Sequence, residues 1–163
     1  MLDNGFYIEI ILGVIVGFFL DVCFREAIDY LWVYRNSDFT GYWKSSVFDT
    51  SGAVIKVDYI HLKHNPKNGV IKGNIIRNQP HTQSDRRWNC NGVLRDEKII
   101  MSFWSANSTI KSDGSGYLFL IADRTFKGVY MHGTVSNTIE TADVMSEKII
   151  DPAEIKRIKR LMR

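Results

Sequence analysis

The sequence predicts an all-β protein: a small eight-stranded antiparallel up-and-down barrel with an N-terminal transmembrane helix and a short C-terminal amphipathic helix. Three observations carry this expectation. "IEIILGVIVGFFLDVCF", near the amino terminus, is apolar apart from Glu9 and Asp21. From Gly41 onward, short runs rich in Val, Ile, Phe, Tyr and Trp alternate with Gly, Asn, Asp and Pro clusters, the pattern of consecutive antiparallel strands. The last residues, "DPAEIKRIKRLMR", change to helical spacing. The chain therefore reads as a membrane and juxtamembrane segment over 1–40, a barrel over 41–150 and a basic amphipathic tail over 151–163.

Residues 6–24, at about 1.5 Å rise each, make a helix of roughly 28 Å, close to the roughly 30 Å hydrocarbon thickness of a bilayer. A cleaved signal peptide needs a basic start and a small-residue cleavage site, and "MLDNGFYIE" and "DVCFRE" supply neither. A buried soluble helix is the other alternative, and a retained anchor fits the length best. No basic residue precedes the run, whereas Arg25, Arg35 and Lys44 follow it. That asymmetry predicts a single-pass protein of the inner membrane with its C-terminal body in the cytoplasm. Gly13 and Gly17 stand four apart, a spacing that lets two membrane helices pack closely, as in a homo-oligomer; the alternative is chance recurrence, since glycine is common in membrane helices. "REAIDYLWVYRN" is too short and too charged for a second span and suits the lipid–water interface, with Tyr30, Trp32 and Tyr34 at headgroup level.

Charge is distributed unevenly. Residues 1–40 hold two basic and six acidic side chains, and the remainder holds 19 basic and 12 acidic ones. A cationic body favours anionic partners. Cys23 and Cys90 fall in different segments, so no disulfide framework is expected.

The eight strand-like runs are "GYWKSSVF", "AVIKVDYIHLKH", "GVIKGNIIR", "RRWNCNGVL", "KIIMSFWSA", "GYLFLIA", "TFKGVYMHGTV" and "TIETADVM". The breaks "DTSG", "NPKNG", "RDEK", "KSDGSG" and "ADRT" carry turn chemistry, and Asn68-Gly69 suits positive φ. Glycines 73, 92, 128 and 133 fall inside strands, where they help a sheet to curl shut. An open sandwich is the alternative packing. "GYLFLIA" is apolar on both faces, so its outer face should be covered by another chain, the juxtamembrane helix or the tail. In the tail, Asp151 is the N-cap and Pro152 opens the first turn. Ile155, Ile158, Leu161 and Met162 line one side, and five basic residues suit an anionic leaflet; a tail that covers the barrel with a solvated basic back is the alternative.

No phosphate loop, nucleophile elbow or zinc-protease motif occurs, and a non-enzymatic protein without cofactor is expected. His61 and His64, three apart in a strand, point to opposite faces and form no metal pair. Binding chemistry is better supplied. Arg77 and Arg86 flank the loop "NQPHTQSD", which could act as a lid, and Trp88 shares a face with Arg86. Ser102 pairs in the same way with Trp104, and Tyr130 with His132. Arginine gives bidentate contacts to phosphate and aromatic faces stack on bases, so these seven residues are candidates to bind a nucleotide. An anchored lipocalin-like carrier of an apolar molecule is the competing expectation, and a hydrolase built from scattered residues is a third.

"FTGYW" puts Gly41 and Trp43 at the head of the first strand, which resembles the opening of lipocalin-type barrels. With the N-terminal membrane segment and the small basic barrel, the whole layout resembles the SMODS-associated transmembrane β-barrel effectors of cyclic-oligonucleotide antiphage defence. The resemblance implies a barrel that recognises a cyclic dinucleotide, a role STING fills on an unrelated fold. It further implies membrane helices that disrupt the inner membrane, a functional link to a nucleotide cyclase, and no DNA or RNA partner. That family carries two membrane helices, whereas this sequence shows one span.

Overall fold

The computed structural model describes residues 16–18, 20–25, 39–107, 109, 112–122, 124–133 and 138–163. The chain divides into two units between Asp38 and Phe39.

In the first unit, residues 16–18 and 20–25 are helical, with an Arg25–Asp21 ion pair of 3.3 Å one turn apart. The expected span over 6–24 lies largely outside the described residues, as do Gly13 and the juxtamembrane segment. Among the described residues, no helix is long and apolar enough to cross a membrane. Gly17 is in the helical stretch, and nothing lies within 4 Å of where its Cβ would be.

The second unit contains the strands read from the sequence: β1 (Gly41–Phe48), β2 (Val54–Asn65), β3 (Val70–Gln79), β4 (Arg87–Arg95), β5 (Lys98–Ser105), β6 (Asp113–Ala122), β7 (Thr125–Gly133) and β8 (Ile139–Lys148). Each pairs antiparallel with its sequence neighbour, and β1 pairs with β8, so the sheet is a closed up-and-down barrel. The sandwich alternative is ruled out by that last pairing.

Turn residues fix the hairpins. Gly69 adopts φ 70°, and its carbonyl accepts from Leu94 N at 2.7 Å. "RDEK" makes a two-residue loop in which Asp96 and Glu97 both take positive φ (49° and 63°), as a type I′ turn demands. Curvature needs glycine at Gly128, where a Cβ would lie 2.0 Å from the Tyr117 carbonyl oxygen. One expected turn is instead strand: "KSDGSG" contributes Asp113–Gly116 to β6, because closure gives those residues partners on β5 and β7.

Period-two alternation fills the barrel. Trp43, Leu62, Ile71, Leu94, Ile99 and Phe126 form an apolar floor at the end where β1 begins. Phe39, just ahead of β1, joins it, and the Trp43 indole N–H donates to the Phe39 carbonyl at 3.1 Å. The Phe126 ring centroid lies 5.2 Å from both Phe39 and Trp43, so three aromatic rings plug this end.

The tail forms helix α1 (Pro152–Leu161). The Asp151 carboxylate caps it, accepting from Ala153 N (3.0 Å) and Glu154 N (3.3 Å). Its apolar stripe does not lie free for a leaflet. Ile158 is fully buried against Tyr59, Ile76 and Ile149 on the outside of the barrel, with Tyr42, Ile155 and Met162 around them. Arg157 lies 5.4 Å from the Tyr59 ring centre and Lys159 lies 5.8 Å from that of Tyr42. Arg87 donates to the Leu161 carbonyl at 2.9 Å. The cause is proximity: the chain leaves β8 at Ile149, whose N–H bonds the Tyr42 carbonyl at 2.8 Å, and the nearest apolar surface is the outer face of β1–β3. The tail therefore does not cover "GYLFLIA", and Tyr117, Phe119 and Ile121 stay exposed.

Candidate functional site

Above the floor the barrel interior changes character and opens into a cavity of about 360 Å³. Its lower wall is mainly apolar, built from inward residues such as Ile60, Ile75, Met101, Leu118 and Val144, with the hydrogen-bonded Ser146 and Ser45 hydroxyls set into it. Its upper part is polar, with Lys56 and Asp58 from β2, Arg77 from β3 and Tyr130 and His132 from β7. Gln83, Arg86 and Ser112 complete the mouth.

The buried Arg77 guanidinium organises one side. Its Nε donates to Asp58 Oδ1, its second terminal nitrogen lies 3.5 Å from Asp58 Oδ2, and its first donates to Gln83 Oε1 at 3.0 Å. The same group lies 5.1 Å from the Trp88 ring centre, and the Trp88 indole N–H donates to Ser112 Oγ at 3.1 Å. Burial pushes the Asp58 carboxyl up, and the Arg77 charge opposes that shift. Two charges that largely neutralise each other thus form one wall.

Lys56, two residues along β2 from Asp58, reaches towards β7. Its ammonium donates to Tyr130 Oη at 3.2 Å and lies 3.3 Å from His132 Nε2. Burial, reinforced by the neighbouring Arg77 charge, draws Lys56 below its ordinary value, while Asp58 and Glu140 pull the other way. Burial pushes the Tyr130 phenol up to about 12, so it stays protonated through the physiological range. His132 stacks edge-on to Tyr130 at 5.2 Å, and its Nδ1 is buried with no hydrogen-bond partner among the described residues. After Asp58 is matched with Arg77, Lys56 and Arg86 leave the cavity with a surplus of positive charge.

Of the seven residues singled out from the sequence, five line this cavity: Arg77, Arg86, Trp88, Tyr130 and His132. Trp88 is not an open stacking surface, since one face lies under Arg77 and the ring is only 6% exposed. Ser102 and Trp104 are not part of the cavity. On β5 the inward residues are Ile99, Met101 and Phe103, so the two candidates stand on the outer wall, with Trp104 46% exposed. One residue of strand parity separates the two readings.

Lys56 and Asp58 were missed: they share parity with Ile60 and Leu62 in "KVDYIHL", but Val57 and Tyr59 make the other face apolar too. Gln83 was passed over inside the expected lid. That segment folds as a short 3₁₀ turn, His81–Gln83, after a cis Gln79–Pro80 bond, and delivers the carboxamide to Arg77. His61 and His64 stand on opposite sides of the wall, His61 stacked on Tyr42 at 4.5 Å and His64 edge-on to Phe39 at 5.7 Å. Cys90 faces inward, and burial pushes its thiol up to about 12.

No protein-family model matches this chain, and no curated protein matches it either. Among solved structures, it is similar to a redesigned beta barrel, with a TM-score of 0.48 and 10% identity over 69% of this chain and 91% of that one. It is also similar to EF1p2_mFAP2b, a structure bound to DFHBI, with a TM-score of 0.46 and 10% identity over 68% of this chain and 93% of that one.

Proposed function

We propose that this protein is a membrane-tethered receptor-effector whose barrel binds a nucleotide-type anion, of the cyclic dinucleotide class, without turning it over. Occupancy of the cavity controls assembly of the N-terminal segments in the inner membrane, with the barrel on the cytoplasmic side. One observation carries the ligand half of this reading: a single cavity combines surplus positive charge from Lys56 and Arg86 with aromatic walls from Phe103 and Tyr130. At about 360 Å³ it lies towards the lower end of the roughly 300–1,000 Å³ of small-molecule sites. That volume suits one base inside, with the phosphates held at the mouth beside Arg86. The antiphage role and the link to a cyclase rest on the sequence resemblance.

The apolar lower wall favours a second reading, an anchored carrier for an apolar molecule. Calorimetric titration of the full chain in detergent micelles with a panel of cyclic dinucleotides separates the two. The receptor reading expects heat with at least one of them, and a loss of about 10- to 100-fold in affinity for Arg86→Ala, since hydrogen bonds to charged groups contribute about 1.5–3 kcal/mol. Absence of heat with every member, together with a lipid extracted from the purified protein, would establish the carrier instead.

A further inference from the structure

We infer that the outer face of β4–β7 is a self-association surface whose occupant is a second copy of this chain. The register places Val93 opposite Ile100, Ile100 opposite Tyr117, and Tyr117 opposite Val129, giving one unbroken apolar row across four strands. All four side chains are exposed, as are Phe119 and Met131 beside them. Contiguous apolar patches of more than a few hundred Å² are uncommon on monomers and mark interaction sites. The outer side of "GYLFLIA" is the centre of this row. α1 cannot cover it, because the apolar stripe of α1 is buried against Tyr59 and Ile76.

Charge identifies the occupant. On the floor side, the neighbouring row is cationic: Lys98 and Lys127 flank Phe119. On the mouth side, the next row is uncharged, with Ser102 opposite Ser115 and Ser115 opposite Met131. Beyond it, Trp104 stands opposite Asp113. The face thus carries a cationic border at one end, an acidic and aromatic border at the other, and between them one apolar row and one uncharged row. Such a pattern is complementary to itself when turned end to end. Two barrels packed face to face with antiparallel strands, related by a two-fold axis between the Ile100 and Ser102 levels, bring Lys98 of each copy to the level of Trp104 and Asp113 of the other. Isologous contacts of this kind are the commonest route to dimers. Both faces are convex and the contact is small, so the association is weak in solution and gains from confinement in a membrane plane.

The inference does not depend on which ligand fills the cavity. It is tested on the full chain in detergent micelles, with Cys23→Ser removing the exposed native thiol and Cys90 protected by burial. Ile100→Cys places a thiol beside the axis, and Lys44→Cys places one on the outer face of β1 as a control. A short bis-maleimide is expected to give covalent dimers with the first and not with the second. Tyr117→Lys, at an exposed position on an inner strand of the face, should weaken association about tenfold or more by burying a charge near its centre. Lys98→Asp and Asp113→Lys should each weaken it, and the two together should restore it. Equal crosslinking at both positions, no crosslinking at Ile100→Cys, or failure of the double exchange to restore association would overturn the proposal.

Discussion

The two ends of one barrel are built from the same eight strands and solve opposite problems. At the floor, β1, β2 and β7 supply Trp43, Leu62 and Phe126, which bury apolar surface and leave no space. A few residues along the same strands, β2 and β7 supply Lys56, Asp58, Tyr130 and His132 around an open cavity. Stability is therefore concentrated where there is no chemistry, and polar groups are concentrated where packing is incomplete. The difference arises within single strands. β2 runs inward as Lys56, Asp58, Ile60 and Leu62, two charged residues and then two apolar ones. Binding capacity can be altered at the mouth because the floor holds the barrel shut.

Four changes would break or sharpen that contrast. Trp43→Ala should have the largest effect, a loss of about 4 kcal/mol in chemical denaturation, within the range for emptying a large aromatic site. It removes the centre of the plug, the ring contact to Phe126 and the bond to the Phe39 carbonyl. If it cost no more than a mouth substitution, the division of labour would fail.

Arg77→Met should cost about 3 kcal/mol, because buried Asp58 then loses the cation that is hydrogen-bonded to it and keeps only the Lys56 charge. Adding Asp58→Leu should recover part of that loss, since a buried pair is harder to half-remove than to remove whole. A double variant as unstable as the single one would show that Asp58 was never matched to Arg77.

Third, the mouth should have its own alkaline signature. The folded Tyr130 titrates at about 12 against a reference of 10.0, so folding favours the protonated phenol. The associated stabilisation is fully present below pH 10 and is lost as pH rises through 12. Denaturation curves collected across that window should show a shallower decline in Tyr130→Phe than in the parent, the remainder coming from the buried Cys90 thiol, which is pushed up to about 12 as well.

The smallest effect belongs to a floor-end hairpin. Glu97 holds φ 63°, a region that costs a side-chain-bearing residue about 1–2 kcal/mol, so Glu97→Gly should raise stability by about 0.5–1 kcal/mol without altering ligand binding.

The strands were legible because turn chemistry and apolar runs are local. "GYWKSSVF" coincides with β1, and Asp151-Pro152 marks the start of α1. What the sequence carried poorly was orientation. In "KIIMSFWSA" both parities hold large apolar side chains, and only the partners across the sheet decide that Phe103 faces in and Trp104 out. Charge misled in the same way. Lys56 and Asp58 look like a wet face by composition, yet Lys56 reaches Tyr130 on β7, far away in sequence, and Asp58 pairs with Arg77, its cross-strand neighbour on β3. The tail was legible as a helix but not in its docking, because its target of Tyr42, Tyr59 and Ile76 comes together only when β1, β2 and β3 pair.

The aromatic plug makes the vessel blind at one end. At the other end Gln83, Arg86 and Ser112 line the mouth. Because the Gln83 carboxamide is tied to Arg77, a change at Gln83 reaches the rim of the mouth and the buried wall at once.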